Sequence, residues 1–259
     1  MFGDKLMGGY AFVRRAASHG VVVVNANYRL APEAAIADQV KDCKRAVAFV
    51  KRHAAEWGAD PDAVFVSGES SGAHLAAMVA LDSDPDAAPE TSVAGCVSVS
   101  GQYDLTDPDG CIEQRFAPVF GDGATRWFFT RFVTQCKCES VEADADAVAT
   151  ASLEAASPLH VLRRMAQSLH GESRVRLVPP FFMVHGTLDE MAPLEYAERF
   201  FHELQRARAT HGGGAGSKDA FAVCDGEHHG GAVVVPSPAS FALGDAVVDF
   251  MRGVVGRGA

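Results

Sequence analysis

Ser70, Asp189 and His229 are the residues of this sequence whose types and placement suit covalent chemistry on an acyl group. A serine hydroxyl is a weak nucleophile until a base takes its proton and an acid orients that base. Ser70 lies in Gly68-Glu69-Ser70-Ser71-Gly72, a G-x-S-x-G pentapeptide. Ala63-Val64-Phe65-Val66-Ser67 ahead of it reads as a strand, and the helix formers from Ala73 to Leu81 follow it. Strand, sharp turn and helix around a serine make a nucleophile elbow, with the hydroxyl beside a helix N-terminus that favours developing negative charge. Gly68 and Gly72 would admit the unusual angles and the close helix–strand approach. The bland alternative is a serine that merely caps the helix. Asp189 lies in Gly186-Thr187-Leu188-Asp189-Glu190, directly after a predicted strand, Val178–His185. His229 lies in Asp225-Gly226-Glu227-His228-His229-Gly230, directly after another, Ala220–Cys224. Loops at the C-terminal edge of a parallel sheet are where such groups meet.

The remaining elements must build that sheet. Lys5–His19 reads as a helix through Leu6, Tyr10, Val13 and Ala17, stopped by Gly20. Val21–Ala26 reads as a strand apolar on both faces, as in a buried parallel sheet. Pro32 breaks the chain after it, and Arg29 and Glu33 are placed to pair across that turn. Ala34–Trp57 carries one apolar stripe of Ile36, Val40, Cys43, Val47, Val50, Ala54 and Trp57, a core-packing helix ended by Gly58. Val93–Ser100 is the next strand. Gln102–His160 has no strand pattern but holds Phe116, Phe120, Trp127, Phe128, Phe129 and Phe132, and reads as a small helical cap. Those aromatics either line an acyl or aryl pocket or glue the cap to the body. Glu142–Ala156 reads as an exposed helix or linker, Leu194–Arg206 as a helix, Ala209–Ser217 as a flexible insertion, and Phe241–Val255 as the closing helix. Strands alternating with helices predict an α/β fold with a doubly wound, mainly parallel sheet, in one domain over 1–259 with a cap insertion at about 102–160.

Bulk properties narrow the partners. Of 259 residues 48% are apolar and 22% charged, enough for a core without disulfide or metal staples. A net charge of −10 disfavours nucleic acid and anionic membrane surfaces. No apolar run reaches a membrane span, and Met1–Lys5 has no apolar signal core. The six cysteines are scattered; Cys136 and Cys138 are too sparse for zinc, and Cys43, Cys96 and Cys224 read as buried thiols. No metal or cofactor is called for.

Four segments together carry a family resemblance: Asn27-Tyr28-Arg29-Leu30-Ala31-Pro32-Glu33, Gly68–Leu75, His185–Glu190 and Gly226–Gly230. They resemble the α/β-hydrolase fold-3 carboxylesterases, the hormone-sensitive-lipase-like and bacterial branches, with arylformamidases and feruloyl or acetyl-xylan esterases as neighbours. The partners of an α/β-hydrolase serine follow in the order Ser, Asp or Glu, His. The resemblance therefore implies Ser70 as nucleophile, Asp189 as acid and His229 as base, with the Ser71 backbone N–H in the oxyanion hole. The family's G-x-x-H pattern selects His229 over His228, and Glu190 is the fallback acid. It implies a serine hydrolase of small or medium acyl esters; an amide hydrolase of the arylformamidase type and an inactive or merely ligand-binding relative are the alternatives. One feature departs from the family: its His-Gly-Gly loop, which supplies half of the oxyanion hole, would lie upstream of Met1. The expectation is a chain without the family's first strands, and therefore weakly active by itself.

Overall fold

The computed structural model describes residues 10–82, 88–135, 143–168, 175, 177–211, 218–231 and 237–256. Four parallel strands form one sheet in the order β1-β2-β3-β4: β1 (Phe65–Glu69), β2 (Gly95–Val99), β3 (Phe181–Gly186) and β4 (Ala220–Cys224). The register pairs Phe65 with Gly95, Cys96 with Phe181, and Phe182 with Ala220. Successive side chains of a strand point to opposite faces. Cys96, Phe181 and Met183 accordingly enter one core, and Val97, Val99, Phe182 and Val184 the other.

Helices cover both faces. On the first lie α2 (Ile36–His53), α3 (Ser71–Leu81), α7 (Pro158–Gln167) and α8 (Leu194–Thr210). On the second, α9 (Pro238–Val254) packs against the sheet and α1 (Tyr10–Ser18) packs on α9. The α1–α9 contact is held by Arg15, which donates two bonds of 2.6 and 2.8 Å to the Asp245 carboxylate. Ser237 opens α9 with a capping box, its hydroxyl accepting from the Ser240 N–H. Between β2 and β3 the segment is helical, as expected: α4 (Cys111–Phe120), α5 (Ala124–Trp127), a π-helical stretch over Phe128–Val133, and α6 (Ala143–Ala156), followed by α7. Phe129 is buried there, whereas Trp127 and Phe128 face solvent. The side chains of Phe116, Phe120 and Phe132, and all of Cys136 and Cys138, lie outside the described residues.

Several expectations are corrected. Among the described residues no strand pairs with 21–26; Val22, Val23 and Val24 are exposed, and a groove of about 660 Å³ runs between this segment and β1. β-Branched residues favour a strand only where a neighbouring edge receives them. Arg29 does not pair with Glu33. It donates bidentately to Asp42 on α2, at 2.8 and 2.9 Å. The α2 stripe buries Ile36, Val40 and Val47, but the chain tightens into a 3₁₀ turn over Ala54–Trp57 that leaves Trp57 exposed. In α1 the buried face is Ala11 and Ala16, not Ala17. Cys96 is fully buried, whereas Cys43 and Cys224 are only partly so. Helix α8 runs on to Thr210, and 212–217 of the expected insertion lie outside the described residues.

Phe200 anchors the larger core. It is fully buried, stacked on Tyr103 at 4.8 Å and edge-on to Phe181 at 5.5 Å. Phe200→Ala is expected to cost about 3–5 kcal/mol, read from urea unfolding. The groove gives a second expectation. An unpaired β edge beside exposed valines templates association. Residues 1–259 expressed by themselves should associate with rising concentration in light scattering, and Val23→Lys should weaken that association.

Candidate active site

The site begins at Gly68. A Cβ there would collide with the backbone of Gly72 and the N of Ala73, so only glycine lets α3 leave β1 this closely. Gly72 itself faces open space, so its lack of a side chain is not sterically required, contrary to the expectation from the pentapeptide. Ser70 sits at the turn with φ 55° and ψ −120°, a strained backbone for a residue with a side chain. Its N–H donates to the Val99 carbonyl at 2.9 Å, and its carbonyl accepts the His74 N–H at 3.0 Å. Its hydroxyl does not cap α3, against the bland alternative. Ser71 is the first residue of α3, a position whose N–H has no partner within the helix. The Ser71 hydroxyl lies 3.5 Å from that of Tyr28.

Asp189 and His229 come together from loops at the ends of β3 and β4. His229 Nδ1 lies 2.8 and 2.9 Å from the two Asp189 carboxylate oxygens. A carboxylate only accepts, so Nδ1 carries the proton and Nε2 the lone pair. Nε2 is buried and has no hydrogen-bond partner, so the Ser70 hydroxyl is not hydrogen-bonded to it in this state. Apo sites often hold such pairs apart and close them on substrate. Asp189 is buried, and its Oδ1 accepts the N–H groups of Met191 at 2.9 Å and Ala192 at 2.8 Å. Burial pushes its pKa up, but the His229 bond and charge and those backbone donors outweigh this and leave it lowered. For His229 burial pulls the pKa down, yet the Asp189 bond and charge, with Glu69 and Glu190, leave it raised.

His185, fully buried on β3, sits beneath this pair. Its Nε2–H donates to the Ala192 carbonyl at 2.8 Å and lies 3.3 Å from Asp189 Oδ2. Burial lowers its pKa, so the ring is neutral and is no ion-pair partner. His228 is exposed and pairs with Glu190 at 3.1 Å. The structure thus joins Asp189 to His229, and Glu190 to His228.

Two supports were not legible in the sequence. Ser100, with φ 49° at the end of β2, accepts the Gly230 N–H on its hydroxyl at 3.1 Å and so fixes the histidine loop. Arg115 of α4 donates to the backbone carbonyl of Asp189, tying the helical insertion to the acid loop. Neither residue belongs to a local motif; the only signal for Ser100 is its position at a strand end. Among the described residues, no group of three His, Cys, Asp or Glu could hold a metal ion.

Sequence and fold comparisons agree on what this arrangement resembles. The BD-FAE family matches residues 4–120. The esterase LipQ of Mycobacterium tuberculosis (strain ATCC 25618 / H37Rv) is 28% identical over 96% of this chain and 51% of its own. A probable isoprenylcysteine alpha-carbonyl methylesterase, ICMEL1 of Oryza sativa subsp. japonica, is 31% identical over 74% of this chain and 41% of its own. The chain therefore spans about half the length of the curated relatives it matches. Among solved structures, the hyperthermophilic esterase of Pyrobaculum calidifontis superposes with a TM-score of 0.64 at 21% identity, covering 94% of this chain and 68% of that one. A fungal esterase from Rhizomucor miehei gives 0.64 at 19%, covering 99% and 72%. The fold is the α/β-hydrolase fold. Its four parallel strands and flanking helices are those of the esterase neighbours, and the resemblance to the fold-3 carboxylesterases holds in sequence as well as in fold. Among the described residues, no helix is long and apolar enough to cross a membrane.

The charge balance sets a pH expectation. A base with a raised pKa is half-neutralised above the ordinary imidazole value of about 6.5. The His229 ring should therefore titrate above that value by NMR, and Asp189→Asn should move it down. The sign for stability follows: the protonated ring's pairing stabilises the fold at low pH, and this contribution is lost as pH rises through the folded pKa. The Asp189 contribution runs oppositely, present at neutral pH and lost as the carboxylate protonates in acid.

Proposed function

We propose that this chain is a serine hydrolase that cleaves carboxylic esters of small or medium acyl groups through an acyl-enzyme on Ser70. The observation that carries the reading is the Asp189–His229 pair, whose unpartnered Nε2 belongs to a loop packed against the residue preceding Ser70. The esterase names of the relatives support ester cleavage over other acyl chemistry.

In this mechanism His229 Nε2 takes the Ser70 proton as Oγ attacks the ester carbonyl carbon. Asp189 stabilises the imidazolium and keeps the ring in one tautomer. The oxyanion forms at the N-terminus of α3, where the Ser71 N–H donates to it; one such donor is worth about 10²–10³ in rate. The imidazolium then protonates the departing alkoxide, leaving an ester on Ser70. Water, deprotonated by His229, attacks that ester, releases the acid and restores the hydroxyl. Leu188 and Met191, exposed apolar residues flanking Asp189, offer an apolar surface to a short acyl or alkoxy group.

A fluorophosphonate probe should label Ser70 and no other serine. Ser70→Ala should abolish the labelling and lower p-nitrophenyl acetate hydrolysis by about 10⁴-fold or more. Labelling that persists in Ser70→Ala would overturn the assignment.

A further inference from the structure

A third carboxylate stands at this site. Glu69 ends β1, immediately before Ser70, and its side chain packs on Gly230, immediately after His229. A Cβ on Gly230 would collide with the Glu69 carboxylate, and Gly230 has φ 67°, so a glycine there serves both the turn and the carboxylate. Glu69 is half-buried, and among the described residues no cation or donor pairs with it. A half-buried carboxylate without a partner is costly, and such groups concentrate where charge is used.

We infer that Glu69 is a positioning residue whose charge holds the imidazolium form of His229 during proton transfer, beyond what Asp189 supplies. The inference rests on the proposed hydrolase reading. Four titratable groups face the ring. Asp189 bonds Nδ1; Glu190, on the same loop, is exposed and pairs with His228; His185, neutral, opposes from β3; Glu69 ends the strand that carries the nucleophile. Asp189 already fixes tautomer and orientation from one edge of the ring. Glu69 contributes charge from the strand that carries the nucleophile, so its effect is felt as Ser70 gives up its proton. Its own pKa is raised: burial pushes it up most, the Asp189 charge adds to that, and the His229 charge draws it back only in part.

Glu69→Gln keeps the shape and removes the charge, and the inference predicts two linked changes. The acid limb of the fluorophosphonate labelling rate moves to lower pH, because the neutral ring is no longer disfavoured. The rate on the alkaline plateau falls by about three- to tenfold, because the imidazolium is less stabilised when the proton arrives. Glu69→Asp should restore part of both, and Glu69→Ala serves as the second charge-free variant should Glu69→Gln fold poorly. The labelling rate against pH is measured on the 259-residue chain at high dilution, with thermal melts as the folding control. An acid limb that stays in place in both charge-free variants overturns the inference, whether the plateau drops or not; that includes the case of a Glu69 carboxyl already protonated. Absence of Ser70 labelling in the wild-type chain would instead overturn the hydrolase reading. In that case the ring titration of His229 by NMR, wild type against Glu69→Gln, still decides the electrostatic claim.

Discussion

The arrangement depends on one steric constraint, the contact of the α3 backbone with Gly68. No other residue type leaves room for Gly72 and Ala73 to pass. That approach turns the chain within two residues and drives Ser70 to a positive φ. Ser70 cannot then cap the helix, so its hydroxyl is released from the structural role that serine commonly takes at this position. The strain, of order 1–3 kcal/mol for such a residue, is held by regular structure on both sides. The Ser70 N–H enters the β1–β2 pairing through Val99, and its carbonyl enters α3 through His74. Sheet and helix thus over-determine a conformation that Ser70 would not adopt alone.

Around this fixed turn the charges are arranged by how well each is satisfied. Asp189 receives two backbone N–H groups as well as His229, which keeps it ionised in spite of its burial. His185 would compete for the same carboxylate if it were charged, but burial keeps it neutral and its proton goes to Ala192. Glu190 and His228 pair in solvent, where an ion pair is worth little and is screened by salt. Glu69 is half-buried, and among the described residues no hydrogen-bond donor pairs with it. The contrast between Asp189 and Glu69 separates two tasks: a fully bonded carboxylate orients the ring, and an unbonded one sets the potential around it.

What was legible in the sequence divides along the same line. Strand–turn–helix around Ser70, and the acid and histidine loops after β3 and β4, could be read because local pattern fixes each of them. The helical character of the insertion was legible for the same reason, but of its separate helices only Ala143–Ala156 answers to a segment read from the sequence, Glu142–Ala156, which was open between helix and linker. What depended on a partner elsewhere was not legible. Arg29 found Asp42 thirteen positions away, not Glu33 four positions away, because the chain leaves the turn toward α2. Ser100 and Arg115 act through atoms brought near only by the sheet and the insertion. Glu69 was visible merely as a variable position of the pentapeptide, since nothing local says that its side chain reaches Gly230.

The valines at 21–24 make the same point in energetic terms. Their β-branched side chains favour an extended backbone; what a sequence run cannot specify is the edge that receives its hydrogen bonds. In β2 the same kind of run, Cys96 to Val99, is buried on both faces and bonded on both sides, by β1 and β3. At 21–26 neither edge is taken up by a described strand, and the valines remain in solvent beside a groove that also reaches β1, Glu69 and Gly72. The groove therefore borders the strand that carries the nucleophile elbow. Whatever stiffens or occupies it acts on β1 first, and through the Gly68 contact on the turn that holds Ser70.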